Sequence, residues 1–162
     1  MYLLISTESN ARFSLAIGED KIEKIKTVEN PYKQSELLLK TIDRLFEGQG
    51  LRSKGQGRVK GQGAKIKEQL KGIIVVQGPG QFSALRIGIV TANTLAHSLN
   101  IPIVGVQLKK SWLDLPEKEK LEKVWAEARK PASPDGGQGG QESKKTRKQL
   151  VIPVYGKEPN IT

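Results

Sequence analysis

The Gly-Pro-Gly corner at residues 78–80 is the first place in the sequence where ligand chemistry could occur. It separates an apolar run at 73–76 from a helical pattern for which Ser83 is the expected N-cap. Free N–H groups at such a helix N-terminus can bind an anion, for example a phosphate. Glycine and proline also occur in tight turns for reasons of backbone geometry alone. We favour the tight turn, because no second phosphate ligand accompanies the corner in the sequence.

Side chains that commonly catalyse reactions are sparse. The sequence has no cysteine and a single histidine, His97, so neither a thiolate site nor a pair of imidazole ligands is available. Ser83 has no nearby histidine or aspartate to activate it. Arg86 falls in the first turn of the helix, where the helix dipole disfavours a cation, and we expect an ion pair with Glu8 or Glu36 in preference to a partner contact. We therefore predict no catalytic residue and no bound metal.

A strand-turn-helix-strand unit at residues 71–106 must position this corner. Its first apolar run, at 73–76, is rich in β-branched residues, which is typical of a parallel strand buried on both faces. The predicted buried stripe of the helix is Leu85, Ile89, Ala92, Leu95, Ala96 and Leu99. The apolar run at 101–106 resumes the strand period, and we expect it to return parallel to the first strand through a right-handed crossover.

Three antiparallel strands are predicted before this unit, at residues 2–5, 12–17 and 21–28. Lysines mark the third as an edge strand. A helix follows at 33–47, another opens at Pro116, and a last strand is expected at 149–155. The predicted buried face of the helix at 33–47 is Leu38, Ile42, Leu45 and Phe46. The order β-β-β-α-β-α-β, antiparallel first and parallel later, predicts an α/β fold: a ribonuclease H-like, actin-like ATPase half-domain with a mixed sheet and a shortened second subdomain.

The formal net charge is +10, and most of it lies in two segments of low complexity. Seven basic residues face one acidic residue between 51 and 71, and four face one between 142 and 148. The Gly-Gln-Gly triplets of the first segment cannot bury apolar area, so we predict a flexible basic insertion at 48–64. Two interpretations of this insertion are equally good. It could keep the protein soluble, or it could contact nucleic-acid phosphates without stacking on bases. The candidate phosphate contacts are Arg52, Lys54, Arg58 and Lys60.

The same patterns divide the chain into four parts. We predict an α/β core at 1–108, a helical remnant of the second subdomain at 109–130, a low-complexity linker at 131–148, and a C-terminal strand and tail at 149–162. The length of 162 residues is that of one domain. We expect a cytoplasmic protein without membrane contact, because no stretch is apolar enough to cross a bilayer and the lack of cysteine fits a reducing compartment.

Residues 78–88, with the sequence GPGQFSALRIG, resemble a signature of the TsaB family. The family pattern there is Gly-Pro-Gly, a small polar residue, Phe, Thr or Ser, a small residue, an aliphatic residue, Arg, an aliphatic residue and Gly. The matching residues are Gly78, Pro79, Gly80, Phe82, Ser83, Arg86 and Gly88. Gln81 departs from the pattern. Residues 34–36, 101–106 and 153–155 add to the resemblance.

TsaB is the partner subunit of the bacterial machinery that makes threonylcarbamoyladenosine in tRNA. The resemblance implies a non-catalytic subunit that pairs with itself or with the catalytic subunit TsaD, in a complex that also includes the ATPase TsaE and acts on tRNA. ATP and metal would then be bound by partner subunits, with no cofactor on this chain alone. The resemblance places the pairing surface on helices of the half-domain, with candidate residues Gln34, Leu38, Ile42, Thr91 and Leu95.

Two departures from related proteins bear on activity. TsaD carries a His-x-x-x-His pair just after the strand corresponding to 101–106, whereas this chain reads QLKKS at 107–111. ATPases of this architecture place an Asp with a nearby Gly at the end of the first strand, whereas the turn at 6–9 reads STES. Two alternatives stay open. One is a stand-alone phosphotransferase or metallopeptidase-like enzyme of the same fold, and the other is a basic RNA-binding module.

Overall fold

The computed structural model describes residues 1–29, 33–47, 69–130 and 150–155. Its elements are β1 (Tyr2–Ser6), β2 (Arg12–Gly18), β3 (Ile22–Glu29), α1 (Gln34–Glu47), β4 (Gly72–Gly78), α2 (Phe82–Leu99), β5 (Ile103–Gln107), a 3₁₀ turn (Lys110–Trp112) and α3 (Glu117–Ala128). The predicted element order is confirmed up to β5. The insertion predicted at 48–64 and the linker predicted at 131–148 lie outside the described residues.

One mixed sheet of five strands organises the described chain, in the order β3-β2-β1-β4-β5. The central strand β1 runs antiparallel to β2 and parallel to β4. β3 pairs antiparallel with β2 at one edge, as its lysines predict, and β5 pairs parallel with β4 at the other. The predicted sequence of antiparallel and then parallel pairing is therefore confirmed.

The central strands are buried on both faces, because successive residues of a strand point to opposite sides of the sheet. On one face, Leu3 and Ile73 belong to a core cluster that includes the buried sides of α1 and α2. On the other face, Leu4 and Ile74 belong to a second cluster with α3. The prediction of a doubly buried strand at 73–76 is confirmed, since all four side chains are buried.

The two helices on the first face bury the stripes that their sequences predict. In α1 the predicted face is buried at all four positions, Leu38, Ile42, Leu45 and Phe46. In α2 four of the six predicted positions are buried, Leu85, Ile89, Ala92 and Ala96. Leu95 and Leu99 are only partly buried and pack at the margin of the same cluster. Helical periodicity alone therefore located both buried faces.

The start of α2 differs from the prediction. The helix begins at Phe82, and its N-cap residue is Gln81, which has extended backbone angles (φ −71°, ψ 133°) and makes no side-chain capping bond. Ser83 lies inside the first turn and is exposed. The preference of serine for N-cap positions is a local tendency, and the position of the corner overrides it here.

The segment at the end of the described chain also differs from the prediction of a strand at 149–155. The described part of it, residues 150–155, is extended chain that is not part of the sheet ladder. α3 begins directly after Pro116, as predicted, and buries Leu121, Val124 and Trp125 against the second face. Within the described ranges, no helix combines the length and apolarity needed to span a bilayer.

Two neighbouring leucines of α1 test the assignment of its buried face. Leu38 is 1% exposed and Leu39 is 50% exposed. We expect Leu38→Ala to lower the free energy of unfolding by about 2–5 kcal/mol, because it removes buried methyl groups and leaves a cavity. Leu39→Ala is the matched control and should change it by about 0.5 kcal/mol or less. Urea denaturation followed by circular dichroism measures both, and equal losses would contradict the orientation of α1.

A charge cluster ties the turn after β2 to the start of β4. The Glu19 carboxylate pairs with the Lys71 ammonium group and with the amino group of Met1. The hydrogen bond from Lys71, followed by that from the amino group, lowers the pKa of Glu19 from 4.5 to about 2. Because the pKa is lower in the folded chain, this contribution to stability is present above pH 4.5 and is lost as the pH falls toward 2.

The stability advantage of the unaltered chain over Glu19→Gln should therefore shrink as the pH falls from 4.5 toward 2. Denaturant unfolding at a series of pH values measures that difference. A carboxyl-carbon NMR titration of Glu19 gives a direct check, with Lys71→Met as the variant that should raise its pKa. A midpoint near 4.5 in the unaltered chain would show that the ion pair does not form in solution.

Candidate functional site

The Gly-Pro-Gly corner packs directly against the turn between β1 and β2. The backbone N–H of Gln81 donates to the carbonyl oxygen of Glu8 at 2.8 Å, and the Gln81 side-chain oxygen accepts from the N–H of Asn10. A Cβ atom on Gly80 would lie 2.6 Å from that same carbonyl oxygen of Glu8. The close approach of the two turns accounts for the glycine at this position.

Two further glycines of the signature also mark close contacts. Gly78 has φ 130°, and a Cβ atom there would overlap the carbonyl oxygen of Val154. A Cβ atom on Gly88 would overlap the hydroxyl oxygen of Thr7, a residue that is fully buried at the end of β1. The turn at Thr7 and Glu8 and the segment at Val154 therefore both meet the signature, and each of these contacts requires a residue without a side chain. This geometry favours the tight-turn interpretation.

Two more side chains of the signature, Phe82 and Arg86, form a stack with Tyr155 on the outside of the corner. The Phe82 ring lies 4.7 Å from the Tyr155 ring, measured between centroids. The guanidinium carbon of Arg86 lies 5.1 Å from the centroid of the Phe82 ring, which is a cation–π distance. The ion pair predicted for Arg86 is wrong: within the described ranges it pairs with neither Glu8 nor Glu36, because Lys120 holds Glu8.

Four charged side chains converge beside the corner, at the end of β1. The Lys120 ammonium nitrogen lies 2.5 Å from one Glu8 oxygen and 3.5 Å from a Glu117 oxygen. Arg12 approaches the same Glu117 oxygen at 3.3 Å. The Lys120 side chain is only 4% exposed. A lysine this deeply buried needs a paired carboxylate, so the Glu8–Lys120 pair links α3 to the turn between β1 and β2.

The sequence analysis missed Lys120, although the helical spacing contained the information. The apolar stripe of α3 includes Leu121 and Val124, and position 120 lies on the same side of a helix with 3.6 residues per turn. A lysine on a core-facing stripe indicates an internal carboxylate partner. The identity of that partner, Glu8, could not be read from the sequence because the two residues are 112 positions apart.

The five candidate interface residues separate into two groups. Gln34 is buried, and its side-chain amide donates to the carbonyl oxygens of Ser9 and Arg12, so it holds the same turn from inside. Leu38 and Ile42 are core residues, and these three side chains cannot present a surface in this conformation. Thr91 and Leu95 are partly exposed on α2. The exposed apolar side chains on these two helices are Leu39, Phe82 and Val90.

The described ranges contain no group of three or more His, Cys, Asp or Glu residues that could hold a metal ion. The turn that carries phosphate ligands in actin-like ATPases presents Glu8, and Lys120 occupies that carboxylate. The candidate phosphate contacts Arg52, Lys54, Arg58 and Lys60 lie outside the described residues.

Comparison with known sequences locates the similarity at this corner. Residues 62–111 match the family model of TsaD, the tRNA N6-adenosine threonylcarbamoyltransferase. A protein of that name from Geotalea daltonii is 57% identical over 37 residues, which cover 23% of this chain and 11% of the relative. The tRNA threonylcarbamoyladenosine biosynthesis protein TsaB of Bacillus subtilis is 49% identical over 39 residues, covering 24% of this chain and 17% of the relative.

Comparison with solved structures identifies the fold. YeaZ from Pseudomonas aeruginosa superposes with a TM-score of 0.51 at 21% identity, covering 65% of this chain and 43% of that one. A second structure, described as similar to peptidase YEAZ from the same organism, gives the same score and identity and is covered to 42%. The chain thus spans less than half of either structure, and a smaller part of the curated relatives.

These comparisons place the protein among the α/β proteins with the actin-like, ribonuclease H-like fold, the class to which YeaZ belongs. Within that class, the resemblance to the TsaB family that residues 78–88 carry is confirmed by the Bacillus subtilis TsaB match and the TsaD family model. The matched segment includes β4, the corner, all of α2 and β5.

The link between α3 and the corner can be tested at Lys120. We expect Lys120→Met to lower the free energy of unfolding by about 3 kcal/mol, because it leaves the Glu8 carboxylate buried without its cation. Lys118→Met on the exposed side of α3 is the matched control and should cost about 0.5 kcal/mol or less. The double variant Glu8→Gln with Lys120→Met should recover part of the loss. Urea unfolding measures all three, and a neutral Lys120→Met would contradict the buried pair.

Proposed function

We propose that this chain is a non-catalytic partner subunit of the machinery that makes threonylcarbamoyladenosine in tRNA, acting by pairing with a TsaD-like catalytic subunit or with a second copy of itself. The proposal rests on one observation. The segment that matches the TsaD family model, residues 62–111, includes the corner and α2. This matched region is the one that positions α2 on the outer surface of the sheet. A TsaE-like ATPase and tRNA would join at the level of the complex.

Protein contacts at the corner favour a partner role over an independent enzyme. A transferase needs groups that bind nucleotide and metal, and within the described ranges the corner is occupied by protein contacts from Glu8, Thr7 and Val154. The catalytic groups, ATP and metal would then belong to the partner subunits. This role requires cytoplasmic co-localisation with tRNA and the partner subunits.

The pairing surface is proposed on the outer sides of α1 and α2. We define it by Leu39, Val90, Thr91 and Leu95, of which Val90 is 62% exposed and Leu39 is 50% exposed. Leu39 and Val90 replace Gln34, Leu38 and Ile42, whose burial removes them from the surface, whereas Thr91 and Leu95 are kept from the sequence prediction. Exposed apolar side chains on two helices of one layer are suited to helix-to-helix contact with a similar half-domain.

A charge placed at Val90 tests this surface. We expect Val90→Glu to weaken binding to the TsaD-like subunit of the same organism by about tenfold or more, because it buries an unpaired carboxylate in the interface. Ser111→Glu, which adds the same charge beside α3 on the other face of the sheet, should bind normally. Calorimetric titration measures both, after circular dichroism has shown that each variant is folded. Full affinity of Val90→Glu would place the interface elsewhere.

Reconstitution separates the proposed role from the enzyme alternative. The chain should show no turnover alone, and TsaD-like and TsaE-like subunits should modify tRNA only when it is added. Equal modification without it would refute the proposal. Hydrolysis of Mg-ATP by the isolated chain would favour the stand-alone enzyme.

The basic RNA-binding module remains the second candidate. Most of the net charge of +10 lies in two segments, one between α1 and β4 and the other just before residue 150. Binding of tRNA by this route depends on counterion release and therefore falls steeply with salt. Deletion of residues 48–64, which removes Arg52, Lys54, Arg58 and Lys60, distinguishes the two functions. The module requires tRNA affinity to collapse, whereas the partner subunit keeps its affinity for the TsaD-like protein.

A further inference from the structure

The C-terminal segment, residues 150–155, lies alongside α2 outside the sheet. Val151 contacts Asn93 of α2, and Tyr155 stacks on Phe82 at the start of the same helix. The segment therefore runs antiparallel to α2, over a distance that suits five residues of extended chain. We call the surface that receives it the C-terminal groove, and its residues are Gln77, Gly78, Phe82, Asn93 and Gly105.

Two amide side chains of the groove recognise the backbone of the segment. The Asn93 amide nitrogen donates to the carbonyl oxygen of Val151 at 2.9 Å, and its oxygen accepts from the Val151 N–H at 3.0 Å. The Gln77 side-chain amide donates to the carbonyl oxygen of Ile152 at 2.8 Å, and the backbone carbonyl oxygen of Gln77 accepts from the N–H of Val154 at 2.8 Å. These four bonds involve no side chain of the segment, so they do not depend on its sequence.

Two glycines of the groove allow the segment to lie this close. A Cβ atom on Gly78 would overlap the carbonyl oxygen of Val154, and one on Gly105 would lie 2.7 Å from a Val151 methyl group. Any side chain at either position would lift the segment off its amide partners. The groove is therefore shaped for an extended peptide backbone.

Only some side chains of the segment contact the groove. Val151 and Tyr155 pack against the core cluster on the α1 and α2 face, and Tyr155 also stacks on Phe82. Leu150 and Ile152 point away from the groove and are 65% and 70% exposed. Main-chain hydrogen bonds combined with side-chain contacts at selected positions are the pattern by which proteins recognise extended peptides.

We propose that the C-terminal groove is a peptide-binding site, filled here by the chain's own C-terminal segment and able to take the same segment from a second copy of the chain. Its ligand is an extended peptide with an apolar side chain at the position of Val151 and an aromatic ring at the position of Tyr155. Nineteen residues, 131–149, separate the segment from the turn that follows α3. The inference is independent of the proposed role in tRNA modification.

The test uses the full chain with a specific protease site in place of residues 136–140, cleaved after purification. The probe is a fluorescein-labelled peptide copying residues 149–157, which stands in for the segment of a second copy. We expect the probe to bind the cleaved protein saturably and to displace the original fragment. The uncut chain should bind it about a hundredfold more weakly, because a tethered segment competes at high effective concentration.

Variants of the peptide and of the groove identify the site. Tyr155→Ala in the probe should weaken binding by about tenfold, whereas Leu150→Ser and Ile152→Ser should change it by less than about threefold. Asn93→Ala in the protein should also weaken binding by about tenfold, because two backbone hydrogen bonds are lost. Thr94→Ala, an exposed neighbour on α2, is the matched control and should bind normally.

Three results would overturn the inference. The first is loss of the helical circular dichroism signal on cleavage, which would make the segment an inseparable part of the fold. The second is retention of the original fragment without exchange for the probe. The third is equal binding of the Tyr155→Ala and Ile152→Ser peptides, which would mean that the probe binds without the register seen in the structure.

Discussion

The contact between the Gly-Pro-Gly corner and the turn after β1 is the constraint on which the rest of the structure depends. The backbone of Gln81 is bonded to Glu8, and Gly80 and Gly88 approach Glu8 and Thr7 more closely than any side chain would allow. This contact fixes where β4 ends and where α2 begins. The direction of α2, and with it the outer surface that we propose for pairing, follows from a backbone approach that only glycine permits.

The same corner is the structural basis of the scaffold role that we propose. ATPases of this architecture place an Asp at the end of the first strand, where its carboxylate can hold the magnesium–phosphate end of ATP. In this chain that end is covered from three sides, by Gln34 from α1, by the corner before α2 and by Lys120 from α3. The polar groups that would otherwise be available to a ligand serve instead to hold three helices in fixed positions around one turn.

The sequence was most informative where a regular pattern reports directly on burial. The β-branched run at 73–76 and the stripe from Leu38 to Phe46 identified buried strand and helix faces, because a side chain's neighbours in a regular element follow from its spacing. It was least informative for polar contacts. Arg86 makes a cation–π contact with Phe82 in place of the expected ion pair. Ser83 does not cap α2, because Gln81 is the N-cap residue and its side chain is bonded to Asn10.

The sequence by itself determined the order of the elements up to β5, the two buried faces of the sheet and the resemblance to the TsaB family, because each of these depends on residues that are close together along the chain. Only the tertiary structure decided that Lys120 pairs with Glu8, that Gln34 faces inward, and that Asn93 holds the C-terminal segment. These contacts join residues that are far apart in sequence. Hydrogen bonds and ion pairs require specific distances, and only the folded backbone supplies them.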